Sequence, residues 1–220
     1  MGLMIAHLPK KFVAEQMHVM RGMRAVIRDI SFTVSAGEAL ILTGANGVGK
    51  TTLLRAIAGF LPLAGGRLHM DGLGEEASIG ESCHYVGHLN GVKRSLTVTE
   101  TLDFFCAFLG GDQDRSEAAA ERFGLAGLLD VPAGYLSAGQ KRRLALARLV
   151  CAERPLWLLD EPTVSLDAPS QGLLGEVVNA HLARGGMVIA ATHIGLGWAK
   201  MTPFDLQGAL AAQTAPAAAS

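Results

Sequence analysis

The chain has 220 residues, of which 50% are hydrophobic and 18% charged, and 19 Lys and Arg stand against 20 Asp and Glu for a formal charge of -1. This length and composition fit one domain with a cohesive core and exclude a disordered chain. The even charge balance removes any general electrostatic drive towards nucleic acid. Three scattered cysteines, Cys83, Cys106 and Cys151, exclude a disulfide framework and fit a reducing compartment.

At the N-terminus an apolar run precedes Lys10-Lys11, the reverse of the order in a secretion signal. Residues 25–27 and 30–34 read as short strands joined by a polar turn. Residues 38–43 (EALILT) are an apolar strand, followed by a glycine-rich turn and a helix whose apolar face is Leu53, Leu54, Ile57 and Ala58. Residues 65–72 read as a short strand between turns, and residues 84–87 as another. Thr97 stands three residues before Glu100, a capping-box spacing that opens a helix over 102–109, and Gly110-Gly111 stops it. Helices are also expected over 116–123 and 137–150. A buried strand (156–159), a helix (169–184) ended by Gly185-Gly186 and a strand (187–192) follow. The alanine-rich tail after Met201 is expected to fray. No period of 20 to 50 residues recurs, which excludes a solenoid. The apolar stretch 187–199 is too short to span a bilayer, and the mean hydropathy of +0.31 is compatible with docking on an apolar surface. The reading is a single α/β domain over residues 1–220, with a helical subdomain at about 90–154 inserted in the core.

The chemistry begins at Gly44-Ala45-Asn46-Gly47-Val48-Gly49-Lys50-Thr51, an ungapped G-x-x-x-x-G-K-[ST] between strand and helix. Glycines let backbone N–H groups converge on phosphate oxygens, Lys50 brings positive charge to the β and γ positions, and Thr51 offers an oxygen to Mg²⁺. Thr52 follows at the head of the helix. Asp160 and Glu161 end the strand over 156–159, where the first is placed to hold Mg²⁺ and the second to polarise an attacking water. His193 follows the strand over 187–192 and faces the edge of the sheet that carries the phosphate loop. Alternate strand residues point to opposite faces, so Cys83, His84 and His88 do not form a metal or haem ligand set.

Leu136-Ser137-Ala138-Gly139-Gln140, with the basic and apolar helix after it, resembles the signature motif of ABC transporter ATPase subunits. With the phosphate loop, Asp160-Glu161, Ser165-Leu166-Asp167 and His193 in order, the resemblance covers roughly residues 21–192. It implies a P-loop NTPase of the ABC ATPase type that binds ATP and Mg²⁺ and works as a head-to-tail dimer, a homodimer being permitted by one complete set of motifs. Ser137 and Gly139, with Gln140 beside them, would close over ATP held by Lys50 and Thr51 of the other subunit, and Asp167 would lie in the loop that crosses the interface. Two positions depart from the family pattern. His88 stands where a glutamine usually joins the core to the helical subdomain, and is kept as a Mg²⁺ or coupling contact. Arg21 stands near the place of the aromatic residue that usually stacks on adenine, and its guanidinium can stack there instead.

The stretch from His84 to Lys93, then Leu96-Thr97 and Glu100 to Phe105, is similar to the ATP-binding subunits of bacterial haem exporters of cytochrome c maturation. That resemblance implies a peripheral protein on the cytoplasmic face of the inner membrane, bound to permease subunits and linked indirectly to a periplasmic haem chaperone, with no nucleic-acid partner. Other small-solute or lipid exporters share the catalytic motifs. A non-transport ATP-gated interaction protein would need a long coiled insertion or a second nucleotide domain, and neither is visible.

Overall fold

The computed structural model describes residues 10–73, 78–112, 114–192 and 197–213. Two sheets face each other across a shared core, and a second core lies on the far face of one of them. The first is antiparallel, in the order β2-β1-β4, from β1 (Lys11–Arg21), β2 (Arg24–Ser35) and β4 (Gly65–Met70). The second is parallel throughout, in the order β5-β6-β7-β3-β8, from β3 (Ala39–Thr43), β5 (Cys83–Val86), β6 (Leu156–Asp160), β7 (Met187–Ala191) and β8 (Met201–Asp205).

The central strands β6 and β7 are buried at every position because both faces of the sheet are covered there. In β6, Leu156 and Leu158 face the first of two cores, where Leu53, Leu54 and Ile57 of α1 (Lys50–Ile57) meet Phe12, Met17 and Ile30 of the antiparallel sheet. Trp157 and Leu159 face the second core, built with Leu174, Val178 and Leu182 of α5 (Ala168–Ala183) and the helices between β5 and β6. Those helices are α2 (Val98–Phe108), α3 (Arg115–Arg122) and α4 (Ala138–Ala147), with short 3₁₀ turns among them. The Thr97–Glu100 box is present in full: Thr97 accepts from the Glu100 N–H, and Glu100 accepts from the Thr97 N–H.

Two expectations need correction, and one element had no expectation attached to it. The N-terminal segment from Lys11 is a long strand, its inward side made by Phe12, Ala14, Met17 and Val19, with an irregularity at Gln16 (φ 45°) that breaks the simple alternation. The two short strands over 25–34 are one strand, β2, which runs through Asp29 at φ 50°. The tail does not fray at Met201: β8 pairs in parallel with β3, and α6 (Leu206–Ala212) buries Leu206 completely. Pairing with a central strand and burial of one leucine outweigh the weak local signal.

Candidate nucleotide-binding site

The site is built at the carboxyl ends of the parallel strands, where loops leave the sheet on one edge. β3 runs into the phosphate loop, β6 ends at Asp160, and β7 lies between them. Gly44, Gly47 and Gly49 all take positive φ (129°, 80° and 123°), a region that admits glycine without strain. At Gly49 a Cβ would also lie 3.0 Å from Ile27 Cδ1 and 3.1 Å from Val26 Cγ1, so the loop packs against β2. Gly49 has no side chain with which to cap α1, which leaves the start of that helix to an anion.

Lys50 is 8% exposed, and its Nζ donates to the carbonyl oxygens of Gly44 (2.7 Å) and Ala45 (3.3 Å). The ammonium is thereby folded over the loop where phosphates would sit. Thr51 Oγ1 donates to Asp160, 2.9 Å from Oδ2 and 3.1 Å from Oδ1, across 109 residues of sequence. Glu161 follows at φ 47°, a left-handed conformation unusual for a glutamate, with its N–H fixed to the Ala191 carbonyl at 2.8 Å.

A cleft of about 720 Å³ joins these groups, and its lining includes Asn46, Gly47, Val48, Gly49, Lys50, Thr51, Thr52, Asp160 and Glu161. Arg21 also lines it, from the end of β1, opposite Arg24 across a tight hairpin. Four residues of this lining were not legible in the sequence: Arg24, Ala25 and Val26 on β2, and Leu210 on α6. Gln207 of α6 reaches the same loop, its Oε1 accepting from the Ala45 N–H at 3.2 Å. No local pattern marks these residues, because the pairing of β8 with β3 brings α6 there.

The remaining candidates lie elsewhere. Ser137 is exposed and heads α4, where it and Gln140 form a capping box: Ser137 Oγ accepts from the Gln140 N–H (3.2 Å) and Gln140 Oε1 accepts from the Ser137 N–H (2.8 Å). Gly139 faces the loop before α5, where a Cβ would lie 3.0 Å from the Ser165 carbonyl oxygen. Asp167 caps α5 by accepting from the Ser170 N–H at 3.0 Å, and the hydrogen bonds from Ser170 hold its carboxyl below the usual range. His88 is exposed just beyond β5 and outside the cleft lining. His193 lies outside the described residues.

His84 is buried and its Nε2 pairs with the Ala152 carbonyl, while burial pushes the Cys83 thiol up to about 12. Neither is prepared to ligate a metal, and among the described residues no three His, Cys, Asp or Glu side chains gather as a metal site. One buried cation was also missed. Arg142, on α4, is 3% exposed and spans the loops after β5 and β6; burial lowers its pKa, while Asp160 and Glu161 oppose that shift.

A phosphate loop on a parallel sheet, with a carboxylate at the end of a nearby strand, defines a nucleotide-binding P-loop protein. The ABC transporter family pattern matches residues 27–164. The cytochrome c biogenesis ATP-binding export protein CcmA of Rhizobium meliloti (strain 1021) is 48% identical over 90% of this chain and 98% of its own. The protein of the same name from Rhodopseudomonas palustris (strain BisB5) is 50% identical over 80% of this chain and 88% of its own. A solved ATP-binding subunit of an ABC transporter superposes with a TM-score of 0.76 at 24% identity, covering 83% of this chain and 79% of that one, and bears on the fold alone. The chain belongs to the ABC transporter family and, within it, to the family of these CcmA proteins.

Proposed function

We propose that this chain is the ATP-binding and hydrolysing subunit of a membrane ABC complex that exports haem, or releases a haem-loaded periplasmic chaperone, in c-type cytochrome maturation. Family membership supports the ATPase, its permease partners and the biogenesis role. The observation that carries the chemistry is the bond from Thr51 to Asp160, set beside Lys50 and Glu161 in one cleft.

In this reading the loop 44–51 cradles the phosphates with backbone N–H groups, and Lys50 exchanges its two carbonyl partners for phosphate oxygens. Arg21 stacks on the base at the mouth of the cleft. The Thr51 hydroxyl and the Asp160 carboxylate are hard oxygen donors that suit Mg²⁺; they would hold the ion, which would supply positive charge against the phosphates. Glu161 orients water for in-line attack, and His193 contacts the γ-phosphate. Ser137, Gly139 and Gln140 at the head of α4, with Asp167, act across a head-to-tail homodimer, so that ATP completes the interface and loss of phosphate reopens it. The whole chain is one ABC ATPase domain, with the helical subdomain at about 90–154.

Among the described residues no helix is long and apolar enough to cross a membrane. Leu89, exposed beside His88 in the chain, and Phe104 and Phe108 of α2, exposed and stacked with ring centroids 5.6 Å apart, offer apolar surface to a permease helix. In this reading the chain sits at the cytoplasmic face of the bacterial inner membrane, bound to permease subunits and without a nucleic-acid partner.

The test is to purify the complex from gently solubilised membranes in MgATP, comparing wild type with Glu161→Gln. Glu161→Gln is expected to bind ATP with unchanged affinity, hydrolyse it at least about 100-fold more slowly, and retain permeases together with a haem-loaded chaperone. Permeases recovered without haem would sink the haem role, and normal turnover by the variant would remove Glu161 from its assigned role.

A further inference from the structure

The loops that converge beneath the cleft are held by one side chain. The Arg142 guanidinium donates through Nε to the Pro162 carbonyl (3.2 Å). Through Nη1 it donates to the Gly87 carbonyl (2.8 Å) and Asn90 Oδ1 (3.3 Å), and through Nη2 to the carbonyls of Asp160 (3.1 Å) and Glu161 (2.7 Å). Five acceptors from two loops thus share one planar group, itself carried by the helix that Ser137 heads. A second, half-buried arginine reinforces one side: Arg148 donates to the Asn90 carbonyl at 3.5 Å and lies over the Phe105 ring at 5.3 Å.

We propose that Arg142 is a positioning residue that sets the backbone of Glu161 for hydrolysis and ties it to segment 87–90, which carries the exposed Leu89. The inference rests on the reading of Glu161 as the group that orients water. Glu161 sits in a left-handed conformation that a glutamate adopts only when its surroundings hold it there. Its N–H is fixed by β7 and its carbonyl by Arg142, so the peptide units on both sides of Cα are anchored and the side chain has a defined origin. The same guanidinium grips Gly87 and Asn90, so a displacement of segment 87–90 by a partner on Leu89 moves the anchor of Glu161. Lysine cannot replace it, because an ammonium carries three donors on one atom and lacks the fork that reaches both loops.

The test uses the full-length chain co-purified with its membrane subunits, and reads kcat, KM for ATP and the affinity for a fluorescent ATP analogue. Arg142→Gln and Arg142→Lys are both expected to lower kcat by roughly 10- to 100-fold, the range for a reacting group displaced by about 1 Å. KM and nucleotide affinity are expected to change by less than about 3-fold, a split that a general loss of structure does not produce. Asn90→Ala removes a single bond, so it is expected to fold normally and to lower kcat by a few-fold. Combined with Arg142→Gln it should add nothing, since both act through one contact.

Wild-type kcat in both Arg142 variants would overturn the proposal, as would a fall in affinity that matches the fall in kcat. Should neither Arg142 variant fold, a wild-type kcat in Asn90→Ala overturns it and a few-fold loss at unchanged affinity sustains it. Glu161→Gln is measured alongside. Normal turnover in that variant removes the underlying reading, whereas its loss together with a wild-type Arg142→Gln rejects the positioning role alone.

Discussion

Lys50 and Arg142 are both buried cations bonded to backbone carbonyls, yet only the first was legible in the sequence. Lys50 bonds to residues five and six positions away, so its partners and its motif are the same stretch of chain. Arg142 finds acceptors 18 to 55 positions away, and nothing in the string KRR marks the middle residue as the clamp. The difference predicts distinct failures. Lys50→Ala removes charge from the phosphate positions and is expected to weaken ATP binding about 10- to 100-fold, as for loss of a hydrogen bond to a charged group. Equilibrium titration with a fluorescent analogue checks this, with Glu161→Gln as the variant that keeps its affinity. Equal loss in both would contradict their separate assignments.

Among the elements, α2 and α4 were foreseeable because their starting signals are local. Thr97 with Glu100, and Ser137 with Gln140, are both complete capping boxes. The box at α4 also occupies the Ser137 hydroxyl, so an interfacial role requires that hydroxyl to serve a phosphate as well as the helix. The last elements were not foreseeable. The segment after Met201 is rich in alanine and short of apolar pattern, but β8 covers the edge of β3, and α6 lies against the phosphate loop through Gln207. Leu206→Ala empties a fully buried site and is expected to cost about 2–5 kcal/mol in urea unfolding. Because α6 supports Ala45, ATP affinity should fall in the same variant, and an unchanged affinity would separate the tail from the site.

Across the whole molecule, the sheet divides two cores that contain ionisable groups kept neutral. His84 and His181 flank Trp157 on the second core, with His181 stacked on the indole at 3.8 Å. Burial pushes both imidazoles from the usual 6.5 down to about 4. Above pH 6.5 neither state binds the proton, and stability is unaffected. Between 6.5 and 4 the unfolded chain binds it and the folded chain does not, so stability falls with pH by about 1.4 kcal/mol per unit for each histidine, and the loss levels off below 4. Urea unfolding at pH 7.5, 6 and 5 checks the slope, and His84→Phe is expected to halve it. A flat profile in the wild-type protein would place both histidines in contact with solvent.

What the sequence determined by itself was everything carried by neighbours along the chain: the phosphate loop between strand and helix, the acids that end β6, the capped helices, and the α/β class. A motif of eight residues encodes its own turn, because glycine permits conformations that other residues resist. The tertiary structure decided which distant groups share a cleft. It brought Arg24 and Leu210 to the cleft, Gln207 onto the phosphate loop, and Arg142 onto the Glu161 carbonyl. Those meetings depend on strand order and on the burial of two faces of one sheet, and such non-local packing leaves no spacing in the chain from which it can be read.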